Sequence, residues 1–108
     1  ISDTADRFFA AWNTTDEDAR AALLQSVVTD GVTFRDPYAA IVGRADLVQH
    51  IGAVHVHMPD VKLVRDGAAQ HCQGTVLVRW KAGERRGTNV FRLGTDGRIA
   101  EAVGFWNG

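Results

Sequence analysis

The sequence has little cysteine, little proline and no concentration of positive charge. A single cysteine, Cys72, excludes an internal disulfide and fits a reducing compartment, so we expect a cytoplasmic location. Lysine and arginine number 12 against 13 acidic residues, and the net charge of -1 argues against binding to nucleic acid or an anionic membrane. No apolar run approaches the roughly 20 residues that span a bilayer. With 45% hydrophobic residues, the chain is expected to fold as one domain over residues 1–108.

Helical periodicity dominates the first half of the chain. Apolar residues recur at helical spacing in three segments, and Thr15 and Pro59 supply a cap for the second helix and a stop for the third. Between the second and third helices, residues 32–36 predict a short strand and residues 37–43 a loop. The three apolar stripes are Ala5, Phe8, Phe9 and Trp12; Ala19, Ala22, Leu23 and Val27; and Leu47, Ile51, Val54 and Met58.

From Val61 onward the apolar period changes to two, which predicts strands. We expect one long strand or a bulged pair over residues 61–71, then strands over 75–81, 87–93 and 98–106. Short glycine-containing links between these strands indicate antiparallel hairpins. Helices followed by such a sheet predict an α+β fold, with three N-terminal helices on one face of a curved antiparallel sheet.

Alternation along the strands separates a helix-covered concave face from an outer face. A row of small residues in the last strand leaves unfilled volume above the sheet, although a single bulge would invert the assignment downstream. The concave face is expected to carry Val76, Val78, Trp80, Asn89, Phe91, Leu93, Ala100, Ala102, Gly104 and Trp106.

The segment Phe34-Arg35-Asp36-Pro37 places a carboxylate at the end of a short apolar strand. Val32, Phe34 and Asp36 share one face of that strand because side chains alternate. A carboxylate among apolar side chains loses hydration and holds a proton more tightly, which suits a general base near neutral pH. The alternative is a turn residue, because Asp before Pro favours extended backbone and the start of a turn.

Several short segments occur in a distinctive order: Arg7-Phe8-Phe9-Ala10-Ala11-Trp12-Asn13, Phe34-Arg35-Asp36-Pro37, Gly43, Asn89-Val90-Phe91-Arg92-Leu93, Asp96-Gly97-Arg98-Ile99 and Phe105-Trp106. Together they resemble the NTF2-like superfamily, a cone-shaped, cystatin-like α+β fold, and within it the SnoaL-like polyketide cyclases and the ketosteroid isomerases. The resemblance covers nearly the whole chain. It is more specific for the fold than for an activity, because this scaffold hosts enzymes, ligand binders and transport adaptors.

The resemblance implies that Asp36 is a proton-shuttling base, because the steroid isomerases carry a matching Asp-Pro at the end of this strand. Two positions depart from their pattern. Their oxyanion hole uses a tyrosine of the first helix, where this chain has Phe8, and a protonated acid on a late strand, where it has Asn89. Because only the Asn89 amide remains as a donor, and losing one donor costs ~10²–10³ in rate, we do not expect a true steroid isomerase.

Other candidate site residues follow from the resemblance and from strand parity. Asn89 faces inward, either toward a ligand or as a buried structural amide. His50 lies where the isomerases line their pocket and is either an acid–base partner of Asp36 or a boundary histidine with one wet edge. Tyr38 is expected at the pocket mouth. The residues expected to line the pocket are Phe8, Trp12, Phe34, Tyr38, Val54, Trp80, Phe91, Ala102, Gly104 and Trp106.

No cofactor and no metal site are expected. His55 and His57 lie two residues apart on a predicted helix, roughly 200° around its axis, so they cannot bind one metal together.

The leading hypothesis is a SnoaL-like protein whose pocket binds a small hydrophobic carbonyl compound. As an enzyme it would be a cofactor-independent isomerase, cyclase or lyase, with Asp36 moving a proton and Asn89, His50 or Tyr38 stabilising an oxyanion. The alternative is a non-catalytic ligand-binding or dimerisation module, so enzymatic activity stays open. The resemblance also implies a homodimer through the outer sheet face, where the apolar residues are Leu77, Val90, Val103 and Phe105.

Overall fold

Three helices cover one face of a sheet in the structure, a computed structural model that describes residues 2–107. The helices are α1 (Ser2–Asn13), α2 (Glu17–Val27) and α3 (Arg44–His57). The strands are β1 (Val28–Asp36), β2 (Ala39–Val42), β3 (Val64–Arg65), β4 (Gln70–Cys72), β5 (Thr75–Ala82), β6 (Arg85–Leu93) and β7 (Ile99–Trp106). The predicted α+β class, with three helices on one face of the sheet, is confirmed.

The sheet runs in the order β2-β1-β7-β6-β5-β3, and β4 also pairs with β5. Within residues 2–107 the strand pairs are antiparallel except β1 with β7, which are parallel. Sequence reasoning did not find the parallel pair, because it relied on hairpin turns and β1 and β7 are joined by most of the chain. This pairing brings the Asp36 end of β1 beside the middle of the sheet.

The prediction of a loop over residues 37–43 is wrong, because β2 lies within it and pairs with β1 in a tight hairpin. Asp36 pairs with Ala39, so only Pro37 and Tyr38 form the turn. The expected strand over residues 61–71 is two short strands, β3 and β4, which both pair with β5.

The apolar stripe predicted for the second helix is half right, because Val27 is buried and Leu23 packs partly buried against the core. Ala19 and Ala22 are exposed, whereas Arg20, Leu24 and Val27 are buried. These three residues follow the spacing i, i+4 and i+7, but an arginine was not considered for the buried face. The N-cap is Asp16, whose carboxylate accepts from the backbone N–H of Ala19 at 2.9 Å, rather than Thr15.

Arg20 ties the helical layer together. Its guanidinium donates to the backbone oxygens of Val48 at 3.1 Å, Thr14 at 3.0 Å and Thr15 at 3.3 Å. The side chain is 2% exposed, so these carbonyl groups replace the water that a buried cation loses. The contacts join the end of α1 and the start of α2 to the middle of α3.

A bulge in β7 changes one member of the predicted concave row. Arg92 pairs with Glu101 and Leu93 pairs with Ile99, so Ala100 is the extra residue. As a result Ile99, which is fully buried, takes the place expected for Ala100 on the concave face. Ala102 and Gly104 face the helices as predicted. In the part of the chain that the structure describes, no helix is long and apolar enough to cross a membrane.

Candidate functional site

Asp36, Gly104 and Asn89 lie side by side on three neighbouring strands. Phe34 pairs with Ala102 across β1 and β7, which places Asp36 beside Gly104, and Gly104 pairs with Asn89 across β7 and β6. A Cβ atom added to Gly104 would lie 3.1 Å from Asn89 Oδ1 and 3.4 Å from Asp36 Cβ. The missing side chain of Gly104 therefore leaves a gap between the carboxylate and the amide.

Asn89 is held in one orientation by Trp80. The indole Nε1–H of Trp80 donates to Asn89 Oδ1 at 3.0 Å, and Asn89 is 5% exposed. An indole nitrogen can only donate, so the atom facing it must be the amide oxygen. This leaves the Nδ2 donor of Asn89 for the cavity that the residue lines.

Trp80 can reach Asn89 because Gly87 has no side chain. A Cβ atom at Gly87 would lie 2.2 Å from Trp80 Cζ2 and 2.4 Å from the backbone oxygen of Phe105. Trp80 also packs edge to face on Trp106, with 5.2 Å between ring centroids. Two glycines on the concave face thus shape the site: Gly104 leaves the gap between Asp36 and Asn89, and Gly87 leaves room for the Trp80 indole.

Two adjoining cavities open above these residues. The inner cavity has a volume of about 40 Å³, which is room for roughly one or two water-sized groups, and both Asp36 and Asn89 line it. The outer cavity has a volume of about 420 Å³, within the usual range for a small ligand, and Asp36 lines it too. Of the residues predicted to line a pocket, those in the inner wall are Trp12, Phe34, Val54, Trp80, Gly104 and Trp106.

Phe8, Phe91 and Ala102 were predicted to line the pocket and do not. All three are fully buried, and the rings of Phe8 and Phe91 pack with 4.9 Å between centroids. Phe91 and Ala102 lie one row further along the strands, and Phe8 from α1 fills the space above them. The cavity therefore begins at Gly104 rather than at Ala102.

The carboxylate of Asp36 serves the β1–β2 turn as well as the cavity. Its Oδ1 accepts from the backbone N–H groups of Tyr38 at 2.8 Å and Ala39 at 2.9 Å. No donor within residues 2–107 bonds to Oδ2. Both interpretations made from the sequence thus describe the same residue: one oxygen fixes the turn and the other is available at the cavity.

His50 and Tyr38 line the outer cavity with Asp36. The His50 ring lies 6.0 Å from the rings of both Trp12 and Phe34, and its Nε2 is buried without a partner among the described residues. No hydrogen bond joins His50 to Asp36 there. Tyr38 is 74% exposed at the mouth, where its ring meets Trp106 edge to face at 5.4 Å.

Sequence reasoning missed the segment after α3 that closes one side of the inner cavity. Val61 and Leu63 line this cavity. Asn13 holds the segment, because its Nδ2 donates to Leu63 O at 2.8 Å and its Oδ1 accepts from Leu63 N at 2.8 Å. The alternation of Val61 and Leu63 was visible in the sequence, but the anchoring by a residue 50 positions away was not.

Arg85 and His57 also line the outer cavity and were not predicted there. Across residues 2–107 no three histidine, cysteine or carboxylate side chains converge on a point that could hold a metal ion.

Comparisons with known proteins agree with this architecture. A family model for the SnoaL-like domain matches residues 5–102. A SnoaL-like family protein from Agrobacterium tumefaciens, described as a proposed isomerase, is 26% identical with a TM-score of 0.92, covering 97% of this chain and 95% of that one. An NTF2-like protein of unknown function from Exiguobacterium is also 26% identical, with a TM-score of 0.77 and coverage of 96% and 98%.

A more distant structure, described as a proposed SnoaL-like polyketide cyclase from Jannaschia, has 15% identity and a TM-score of 0.80 over 98% of this chain and 84% of that one. At that identity the likeness concerns the fold alone. A search of curated proteins finds no match. Because the family model covers most of the chain, the protein belongs to the SnoaL-like domain family.

Proposed function

We propose that this protein is a cofactor-independent enzyme that moves a proton on a small, largely apolar carbonyl compound. Asp36 acts as the base, and the Nδ2–H of Asn89 stabilises the oxyanion. The observation that carries the proposal is the row Asp36, Gly104 and Asn89, which borders the cavity with a carboxylate and an oriented amide donor. The SnoaL-like family protein from Agrobacterium tumefaciens, at 26% identity, is described as a proposed isomerase, which agrees with this reaction class.

The geometry suits an enolisation. Asp36 and Asn89 are separated by one strand, so their Cα atoms lie roughly 10 Å apart. Because Asn89 Oδ1 is the atom nearest to Gly104, a carbonyl group bound beside Gly104 must direct its oxygen to Asn89 Nδ2 instead. Asp36 Oδ2 removes a proton from the carbon next to the carbonyl, and the electron pair moves onto the oxygen. The Asn89 amide donates to that oxygen. In a substrate with a β,γ double bond, return of the proton from Asp36 to the γ carbon moves that double bond into conjugation and completes an isomerisation; without one, return to the α carbon gives hydrogen exchange only.

The donor set limits the substrates that can react. Phe8 supplies no hydroxyl and lies in the core, so the side-chain donors among the residues lining the inner cavity are Asn89 Nδ2 and the indole N–H of Trp12, which has no partner among the described residues. Tyr38 and His50 line only the outer cavity. Since one missing donor typically costs ~10²–10³ in rate, the substrate needs a C–H bond that is already acidic. We therefore propose a carbonyl compound activated by a ring or by a second electron-withdrawing group.

The test is exchange of the α-hydrogens of 2-tetralone in D2O, followed by NMR. Asp36→Asn keeps an oxygen that can accept from Tyr38 N and Ala39 N, so it removes the charge while retaining the turn. We expect the exchange rate to fall at least ~10²-fold, since general base catalysis contributes about that much. Asp46→Asn on α3, which alters an exposed carboxylate outside both cavities, is the matched control and should keep the rate.

Equal exchange rates in the unsubstituted protein and in Asp36→Asn would contradict the role of Asp36 as the general base. In that case Asp36 serves the turn alone, and the second candidate function applies: a ligand-binding or dimerisation module without catalysis. The two backbone hydrogen bonds to Oδ1 are the observation that favours this second candidate.

We also propose that a second copy of the chain covers the outer sheet face. Phe105 is 53% exposed near the end of β7 on that face, and the cross-strand row Leu77, Val90 and Val103 beside it is only partly buried. An apolar row of this kind on a sheet is typical of a partner-covered surface. A molar mass of one chain by light scattering would contradict this.

A further inference from the structure

Strand β6 places one polar side chain in the inner cavity, that of Asn89, and one in the outer cavity, that of Arg85. Asn89, Gly87 and Arg85 alternate along the strand and so share the concave face. Asn89 lies deep, beside Gly104, and Arg85 lies at the mouth of the outer cavity. Four residues of strand separate their Cα atoms by roughly 13 Å.

Arg85 is held in place without a carboxylate partner among the described residues. Its guanidinium carbon lies 5.4 Å from the centroid of the Trp106 ring, and Nη1 lies 3.7 Å from Met58 Sδ, a weak acceptor. The next residue, Arg86, instead forms an ion pair with Asp66 at 3.3 Å. Stacking on an aromatic ring orients a guanidinium while leaving its donors free for a ligand.

Carboxylates near Arg85 do not neutralise it. Glu84 precedes it in the hairpin and Asp60 lines the groove on its other side, but neither lies within ion-pair distance. Asp36 is the acidic residue that lines the outer cavity, and it lies where this cavity meets the inner one. Arg85 and His57 line the outer cavity at its mouth. The cavity is therefore acidic at depth and basic at its entrance.

We propose that the ligand is a small keto acid whose carboxylate binds Arg85 at the mouth while its carbonyl lies between Asp36 and Asn89. This rests on the proposed function, because it uses the same carbonyl position. The reverse orientation would place a carboxylate against Asp36, and like charges repel. The apolar body of the ligand lies between the Trp106 ring and Val54 of α3, in a space of about 420 Å³.

The experiment compares 6-acetyl-2-naphthoic acid with its primary carboxamide by isothermal titration calorimetry. The two probes have the same carbonyl and ring system and differ in charge at the far end. We expect the acid to bind about two- to fivefold more tightly at low salt, the range of a partly exposed ion pair, and the advantage to shrink with added salt. Arg85→Gln should remove the preference and leave the affinity of the carboxamide unchanged.

Arg79→Gln is the matched control, because Arg79 is an exposed arginine on β5 outside both cavities and the substitution changes the net charge equally. It should keep the preference for the acid. Equal affinity of the original protein for both probes, or an acid preference that survives in Arg85→Gln, overturns the inference, as does failure of the acid to bind. These results are distinct from failure of the base assignment, which the Asp36→Asn exchange rate measures.

Discussion

Two neighbouring rows of the sheet differ in a way that separates structure from function. In one row Phe34, Ala102, Phe91 and Val76 lie side by side, each at most 3% exposed. In the next row, two residues further along the same strands, Asp36, Gly104 and Asn89 occupy the matching positions. Phe8 from α1 packs on Phe91 in the first row, whose Phe34 end also reaches the cavity wall, and the whole second row borders the cavity.

The comparison teaches that this cavity depends on the residues of one row. Both rows belong to the same strands and lie roughly 7 Å apart, so the backbone architecture is the same for each. What differs is that the filled row offers apolar surface to an aromatic ring, whereas the open row offers a glycine, an amide and a carboxylate. Substitutions that add or remove side-chain volume in either row therefore test whether the open row forms the site.

The largest effect is expected from Gly87→Ala, at the open end. The new methyl group would overlap the Trp80 ring and lie 2.4 Å from the backbone oxygen of Phe105, so β7 must move. We expect a loss of about 3 kcal/mol or more in the free energy of unfolding.

Urea denaturation measures the Gly87→Ala effect, and Gly94→Ala is the control, because the nearest atoms there lie at an ordinary 3.6 Å. That control should change stability by no more than about 0.5 kcal/mol. A stable Gly87→Ala protein with its indole signals unmoved would show that Trp80 does not lie over Gly87.

The next effect is that of Phe8→Tyr, at the filled end. This change restores the hydroxyl that the steroid isomerases carry, but the Phe8 ring is fully buried against Phe91. A hydroxyl buried without a partner costs about 1–3 kcal/mol, so we expect that loss and no gain in 2-tetralone exchange. As a control, Tyr38→Phe removes a hydroxyl from a ring that is 74% exposed and should leave stability nearly unchanged. Faster exchange in Phe8→Tyr would place this position in the site.

Local patterns were enough to predict the helices and the concave face. The i, i+3, i+4, i+7 stripe of α1 is buried as expected, and Val76, Val78 and Trp80 follow strict alternation. Two of the failed predictions are cases in which a local rule was overridden. Arg20 is buried because three backbone oxygens, two in the α1–α2 connection and one in α3, accept from its guanidinium, and Ala100 leaves the concave row because β7 bulges there.

The candidate site was only partly visible in the sequence for a similar reason. Asp36 and Asn89 were found through the Asp-Pro turn and strand parity, which are local. Their proximity depends on the parallel pairing of β1 with β7, and Arg85 depends on Trp106 lying beneath it. Neither relation has a signature in neighbouring residues, since each joins segments that are distant in the chain.

The smallest effect on stability, paired with a large effect on activity, is expected from Gly104→Ala. The added methyl group would lie 3.1 Å from Asn89 Oδ1 and 3.4 Å from Asp36 Cβ, so a shift of a few tenths of an ångström accommodates it. Unfolding free energy should change by less than about 1 kcal/mol. The methyl group nevertheless takes up space in a cavity of about 40 Å³, so 2-tetralone exchange should fall at least tenfold.

The reciprocal change at the filled end is Ala102→Gly. It removes a fully buried methyl group from a strand, which costs about 1 kcal/mol, but it leaves Asp36 and Asn89 in place, so exchange should persist. Stability measured by urea denaturation and exchange measured by NMR should therefore rank these two variants in opposite orders. Because the two positions lie two residues apart on β7, equal effects on exchange would mean that the gap above Gly104 is not where the carbonyl binds.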